Sequence, residues 1–401
     1  MAVSMSVVTQ AIVFLSMACF GDFGPYRKRI LVCAAMTAAC CCCLFTAIKK
    51  NEHYFWAAYL LIFIEVSLGI SLCMYNAYIP ELARSSVEFK ALMTEYKEKK
   101  GDFDPNKATK DKAAGKKVLS STELLVRRYS LIQDQLSEIG HIWGYSGSSI
   151  NVLISTIVVM ATGFGGGNDK LIGGIKNAMF AMGIWWFIFT MPAVFVLRKR
   201  DGPPLPGGQT IFHYFWFSLK RSASTFVATV NYLPNTRNFM LAFFMYTDLI
   251  STISQCGILF ALDEMGMTVI HFVWICIIAP CSGVFWMWYV RANQRKKGWK
   301  TKNILLCALS VYLFQAFWGL FGFTGIIGYV YPNELFFLAF IYGGGLAVYE
   351  SASRTTFCEL VPPGQTAEFF GIYEITDKGS SWLGPFIISI LYQETGTARL
   401  G

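Results

Sequence analysis

The chain has 401 residues, of which 54% are hydrophobic, 16% aromatic and only 15% charged, where a soluble globular domain carries roughly 25% charge. Apolar runs of about 20 residues recur from end to end, which excludes a soluble enzyme, a disordered protein and a secreted disulfide scaffold. The formal charge of +9 does not point to nucleic acid, because the Lys and Arg sit in loops between apolar runs, where they act as topology signals.

Ten membrane spans are predicted, near residues 2–20, 30–48, 54–77, 142–163, 171–197, 238–260, 268–290, 303–324, 335–357 and 369–392. Each is long enough to cross a hydrocarbon core of about 30 Å. The first has no Lys or Arg before it and a basic loop after it, which marks a span rather than a signal peptide. Counted over alternate loops, one side holds 28 basic residues and the other four. The side with 28, comprising Arg27–Arg29, residues 84–138 and 198–237, residues 291–302 and Arg354, is the cytoplasmic one. Both chain ends then fall on the opposite side.

Two long cytoplasmic connections interrupt the spans. The insert at 84–138 holds 21 of the 59 charged residues. Its mixed-sign run through Asp102, Lys107 and Lys112 predicts a solvated, mobile segment. From Ser121, the spacing of Leu124, Leu125, Leu131, Ile132 and Leu136 predicts a short amphipathic helix returning to the membrane. The second connection, at 201–237, opens on a Pro- and Gly-rich stretch and continues into Phe212, Tyr214, Phe215 and Phe217 with Lys220 and Arg221 among them. That pattern predicts an interfacial helix on the inner leaflet, joining an N-terminal bundle (1–200) to a C-terminal one (238–401). Cys40 to Cys43 are consecutive, so on a helix they point about 100° apart and do not converge on a metal. No metal or cofactor is expected.

Gly21, Asp22 and the basic cluster Arg27, Lys28, Arg29 resemble the gating loop between the second and third helices of the major facilitator superfamily. Met74 to Leu82, Gly144 to Gly147, Gly183 to Trp186 and above all Ser353, Arg354, Pro362 to Tyr373 and Lys378 to Pro385 are similar to the autophagy-related vacuolar effluxer family within it. The resemblance implies an all-α integral membrane protein of major facilitator type. It would have two helical bundles, and its first span would match the family's second helix, leaving ten of twelve helices present and a partial chain. It also implies a secondary transporter that exports small solutes, above all neutral amino acids, from vacuole or lysosome to cytosol by alternating access. Two positions depart from the family pattern. Leu249 follows Asp248 where a Gly is usual, and Glu350 stands where a Gln is usual.

Ionisable side chains inside spans are costly and so are functional candidates. Here they are Glu65, Asp248, Glu350, Arg354 and Lys378. For a zwitterionic amino acid, Arg354 or Lys378 would meet the carboxylate and Asp248 or Glu65 the ammonium. A buried acid would equally serve proton coupling. The competing structural reading pairs Glu350 with Arg354 one turn away, and Asp377 or Glu374 with Lys378. His53, His141, His213 and His271 fall in loops or near span ends and are assigned no role. A membrane enzyme would need a His and acid constellation near a bilayer surface, and none is apparent. The alternative function is a transport-incompetent membrane platform acting through the charged insert.

Overall fold

The computed structural model describes residues 2–48, 54–101, 121–163, 167–199, 202–205, 211–263, 265–267, 269–324, 327–362, 364–381 and 383–395, and among these there is no strand. Among the described residues thirteen α-helices run α1 (Ala2–Met17), α2 (Tyr26–Leu44), α3 (Tyr54–Ser85), α4 (Val87–Gly101), α5 (Ser121–Gly163), α6 (Gly167–Val196) and α7 (Ile211–Tyr232), then α8 (Pro234–Asp263), α9 (Val269–Lys297), α10 (Thr301–Leu320), α11 (Pro332–Leu360), α12 (Thr366–Ser380) and α13 (Leu383–Thr395). The described residues of the ten predicted spans are largely helical. Among the described residues seven helices are long and apolar enough to cross a membrane: α2, α3, α5, α6, α9, α10 and α11. In lipid every backbone N–H and C=O must be satisfied within its own segment, which is why these apolar runs fold as helices.

Three elements differ from the expectation. The amphipathic helix from Ser121 is not a separate short piece but runs unbroken into the next span, so α5 is 43 residues long. Part of the insert is ordered: α4 packs on α5, and Arg128 meets Glu95 at 3.2 Å. The run 102–112 lies outside the described residues, as does His53. The last predicted span is described as two helices, Thr366–Ser380 and Leu383–Thr395, and Pro385 sits in the first turn of α13, where its missing N–H costs nothing.

Helices α1, α2, α3, α5 and α6 pack among themselves, and α8 to α13 do likewise. Small residues set the closest approaches: a Cβ on Gly343 of α11 would collide with the backbone of Ala279 in α9, and one on Gly183 of α6 would press on Ala39 O of α2 at 2.8 Å. Helix α7 turns a stripe of buried Ser218, Ser222, Thr225 and Thr229 toward α1 and α12, while Phe212, Trp216, Phe226 and Val227 face outward. This is the geometry of a helix lying along an apolar surface with its polar side against protein.

The two groups meet where α5 crosses α9 and α11 and where α1 and α3 cross α12. The largest apolar cluster spans both groups, joining Met74, Ala77 and Ile79 to Met287, Val290, Phe357 and Phe370, all near the end that carries the basic loops. Toward the other end there is one cluster within each group, around Cys42 and Ile64 in the first and around Ala261, Met267 and Leu335 in the second. Among the described residues, the apolar packing that joins the two groups therefore lies toward the basic end.

Candidate functional site

Polar assemblies cross between the groups both at the rim of the basic end and deeper. At the rim, the loop after α1 delivers Asp22 onto the start of α12. Its Oδ1 accepts from Ala367 N and its Oδ2 from Glu368 N, both at 2.9 Å, and Thr366 Oγ1 lies 3.2 Å from Oδ1. A carboxylate suits this place because a helix begins with unpaired N–H groups and the positive end of its dipole. Arg27 reinforces it, pairing with Asp22 at 2.8 Å and Glu81 at 2.5 Å, and donating to Gly21 O and Thr366 Oγ1. Gly21 allows the contact, since a Cβ there would sit 2.7 Å from that of Ala367. Of the remaining expected gating residues, Lys28 donates to Val194 O at 2.6 Å within its own group, and Arg29 lies over the Tyr26 ring.

Beside this contact Glu368 is buried and held by Arg221 at 3.0 Å and Thr225 Oγ1 at 2.6 Å. Across the other crossing, Asp134 of α5 accepts from Gln294 at 2.7 Å and from Thr301 at 2.6 Å, and Ser130 donates to Glu359. Both crossings are thus closed by carboxylates with designated donors.

The deeper assembly centres on Arg354 of α11. Its Nη1 donates to Asn76 Oδ1 of α3 at 2.8 Å, its Nε to Ser137 Oγ of α5 at 3.2 Å, and its Nη2 lies 2.8 Å from His141 Nδ1. Tyr75 lies against the guanidinium at 5.2 Å. Asn76 relays the charge onward, its Nδ2 donating to Glu374 of α12 at 2.9 Å. Glu350 does not pair with Arg354. It accepts from Tyr145 OH at 2.9 Å and stands 3.6 Å from His141 Nε2. The imidazole therefore bridges an acid and a cation one turn apart on the facing helix.

His141, to which the sequence reading assigns no role, lies within α5 at the crossing, between Arg354 and Glu350. Asn76, Tyr145 and Ser137 were also missed. The Met74 to Leu82 stretch held Asn76, but a lone Asn in an apolar span gave no partner to look for. Asp377 and Lys378 do pair, at 3.3 Å.

The candidates differ in access. Arg354 is buried with its donors occupied. Glu350 and Lys378 lie deep among the helices, yet 44% and 39% of their side chains are accessible. Both side chains thus keep accessible surface although they sit on helices at the crossing of the two groups. Glu65 and Asp248 are half-buried, and Asp248 Oδ1 accepts from Gly384 N of α13 at 3.0 Å.

This arrangement is that of a multi-pass membrane protein with the major facilitator fold. The proton:xylose symporter XylE bound to 6-bromo-6-deoxy-D-glucose matches it with a TM-score of 0.52 at 13% identity, over 97% of this chain and 79% of that one. A double Trp mutant of XylE matches with the same score over 98% and 79%. The family model described as "Vacuole effluxer Atg22 like" matches residues 1–401, and the chain belongs to that family. Autophagy-related protein 22-2 of Sclerotinia sclerotiorum is 29% identical over 99% of this chain and 64% of its own length. Autophagy-related protein 22 of Coccidioides immitis is 30% identical over 99% and 68%. The chain thus spans about two thirds of the length of these relatives.

Proposed function

We propose that the protein is a secondary transporter that moves small solutes, foremost neutral amino acids, from the lumen of a vacuole or lysosome to the cytosol by alternating access. One observation carries this reading: two helix groups whose shared apolar packing lies toward the basic end, with accessible Glu350 and Lys378 on helices at their crossing. By the excess of positive charge the packed end is cytoplasmic, so we read the arrangement as the lumen-open one. The vacuolar setting and the solute class follow the family description and the autophagy-related names of the relatives.

A zwitterion entering from the lumen meets the Glu350 carboxylate and the Lys378 ammonium, one for each of its charges. Farther along α5 from Tyr145, Asn151 Oδ1 and Ser155 Oγ are buried without a protein partner and offer hydrogen bonds to a polar solute. Release requires Asp22 to leave the start of α12 and the Arg354 assembly to separate from α5. A proton taken up in the solute path would couple such a step to a pH gradient.

The test is efflux of radiolabelled leucine from proteoliposomes that hold the purified chain. Export that falls at least tenfold in Glu350→Gln and in Lys378→Met, with unchanged elution and melting, supports the reading. Wild-type flux in both variants removes these residues from the solute path, and no flux of leucine or of a panel of other amino acids removes the substrate class.

A further inference from the structure

Beside the α5–α9 crossing, a cleft of about 700 Å³ opens at the cytoplasmic rim. Four of its lining side chains are cations: Arg127 of α5, Arg295 of α9, and Lys300 and Lys302 at the start of α10. All four are exposed, and among the described residues none has an ion pair. Two carboxylates, Glu138 and Glu359, share the cleft, and Glu359 is already held by Ser130. The net excess is two positive charges, which matches the roughly −1.5 to −2 carried by a phosphomonoester near neutral pH. The start of α10 adds to it: Lys300 occupies the N-cap without a side-chain cap, and the helix presents its positive dipole end beside Lys300 and Lys302.

Adjoining this cleft is a second space of a different kind. A groove of about 480 Å³ between α9, α10 and α11 is lined by Tyr289, Ile304, Cys307, Ile341 and Val348 and by no charged residue. The two spaces share Trp299, which lines both. A basic cleft at the membrane surface that continues past a tryptophan into an apolar groove at bilayer depth has the polarity sequence of a phospholipid: phosphate, interface, acyl chain.

We propose that this is a site for an anionic phospholipid with a phosphorylated headgroup. Its phosphate sits among Arg127, Arg295, Lys300 and Lys302, and one acyl chain lies along the groove. The site is formed from both helix groups. Arg127 reaches across from α5, with Nη2 3.6 Å from where a Cβ of Gly298 would stand. A lipid held there binds the cytoplasm-closed arrangement better than one in which α5 and α10 have separated, and by linkage it favours the closed form. This is independent of which solute the protein moves.

The test is binding of dioctanoyl phosphatidylinositol 4-phosphate to the full chain in a neutral detergent, compared with dioctanoylphosphatidylcholine and with inositol 1,4-bisphosphate. The expected result is preference for the phosphoinositide over both. Affinity should fall by about tenfold or more in K300Q/K302Q, since each surface cation contributes measurably to anionic-lipid binding, and should also fall in Cys307→Trp, which fills the groove. Lys300, Lys302 and Cys307 are exposed, so elution and melting in the absence of lipid should stay as in the parent and report intact folding. Equal binding of inositol 1,4-bisphosphate would overturn the proposal in favour of a headgroup-only anion site. Equal binding of phosphatidylcholine, or unchanged affinity in K300Q/K302Q, would overturn it outright.

Discussion

Asp22→Asn should open the cytoplasmic end without dismantling the fold. Asp22 and Arg27 belong to the same helix group, so their pairing persists whether the groups are together or apart and contributes little to the balance. What changes between the two arrangements is the contact with α12, where each carboxylate oxygen accepts a backbone N–H at 2.9 Å. Hydrogen bonds to a charged group contribute about 1.5–3 kcal/mol each, and neutral ones about 1. Asn keeps one acceptor and turns an NH₂ toward the other N–H, so one bond is lost and the other weakened. The closed form should lose about 2–5 kcal/mol, a shift of about 30- to 4,000-fold in the closed-to-open ratio. The assay is a distance distribution between spin labels on unnatural residues at positions 82 and 238, which are exposed near the cytoplasmic ends of α3 and α8. A long-distance population should appear in the variant. An unchanged distribution would refute the reasoning, because the helix-start contact would then not be what holds the groups together.

Other perturbations separate the remaining roles. Asp248→Asn retains an oxygen to accept from Gly384 N while removing the charge, so solute export should be abolished with membrane insertion intact; normal export would show that Asp248 acts only as a helix cap. Gly343→Val forces a side chain into the backbone of Ala279, and overpacking of about 1–3 kcal/mol or more should appear as a lowered melting temperature in detergent. Arg221→Met leaves buried Glu368 with Thr225 alone; a cost of about 2 kcal/mol should speed hydrogen exchange in α7. His141→Leu removes the ring between Glu350 and Arg354 and should depress export, whereas His141→Gln should restore part of it if hydrogen bonding is what matters.

The spans were legible because burial in lipid demands long apolar runs, a signal carried by every residue in the run. The positions of charge were equally plain. The partners of those charges were not. Sequence spacing made Glu350 and Arg354 neighbours on one helix face, which they are, but both turn to α5, and nothing in the local pattern shows that His141, Ser137 and Tyr145 stand opposite. Asp22 was recognised by its surroundings in the chain, while its acceptor role depends on residues 366–368, more than 340 positions away. The unbroken α5 was missed for a related reason: the amphipathic period and the apolar run are different signals, and no glycine or proline between Ser121 and Ile142 other than Gly140 marks where one stops.

The length of α5 gives it a mechanical use. At 1.5 Å per residue its 43 residues extend about 65 Å, roughly twice the hydrocarbon thickness, so its first turns project well into the cytosol. Tilting such a rod by about 10° about a pivot near residue 150 displaces its tip by about 8 Å, because some 30 residues, or about 45 Å, form the outer arm. Helix α4, which packs on that arm, would be carried with it by such a tilt.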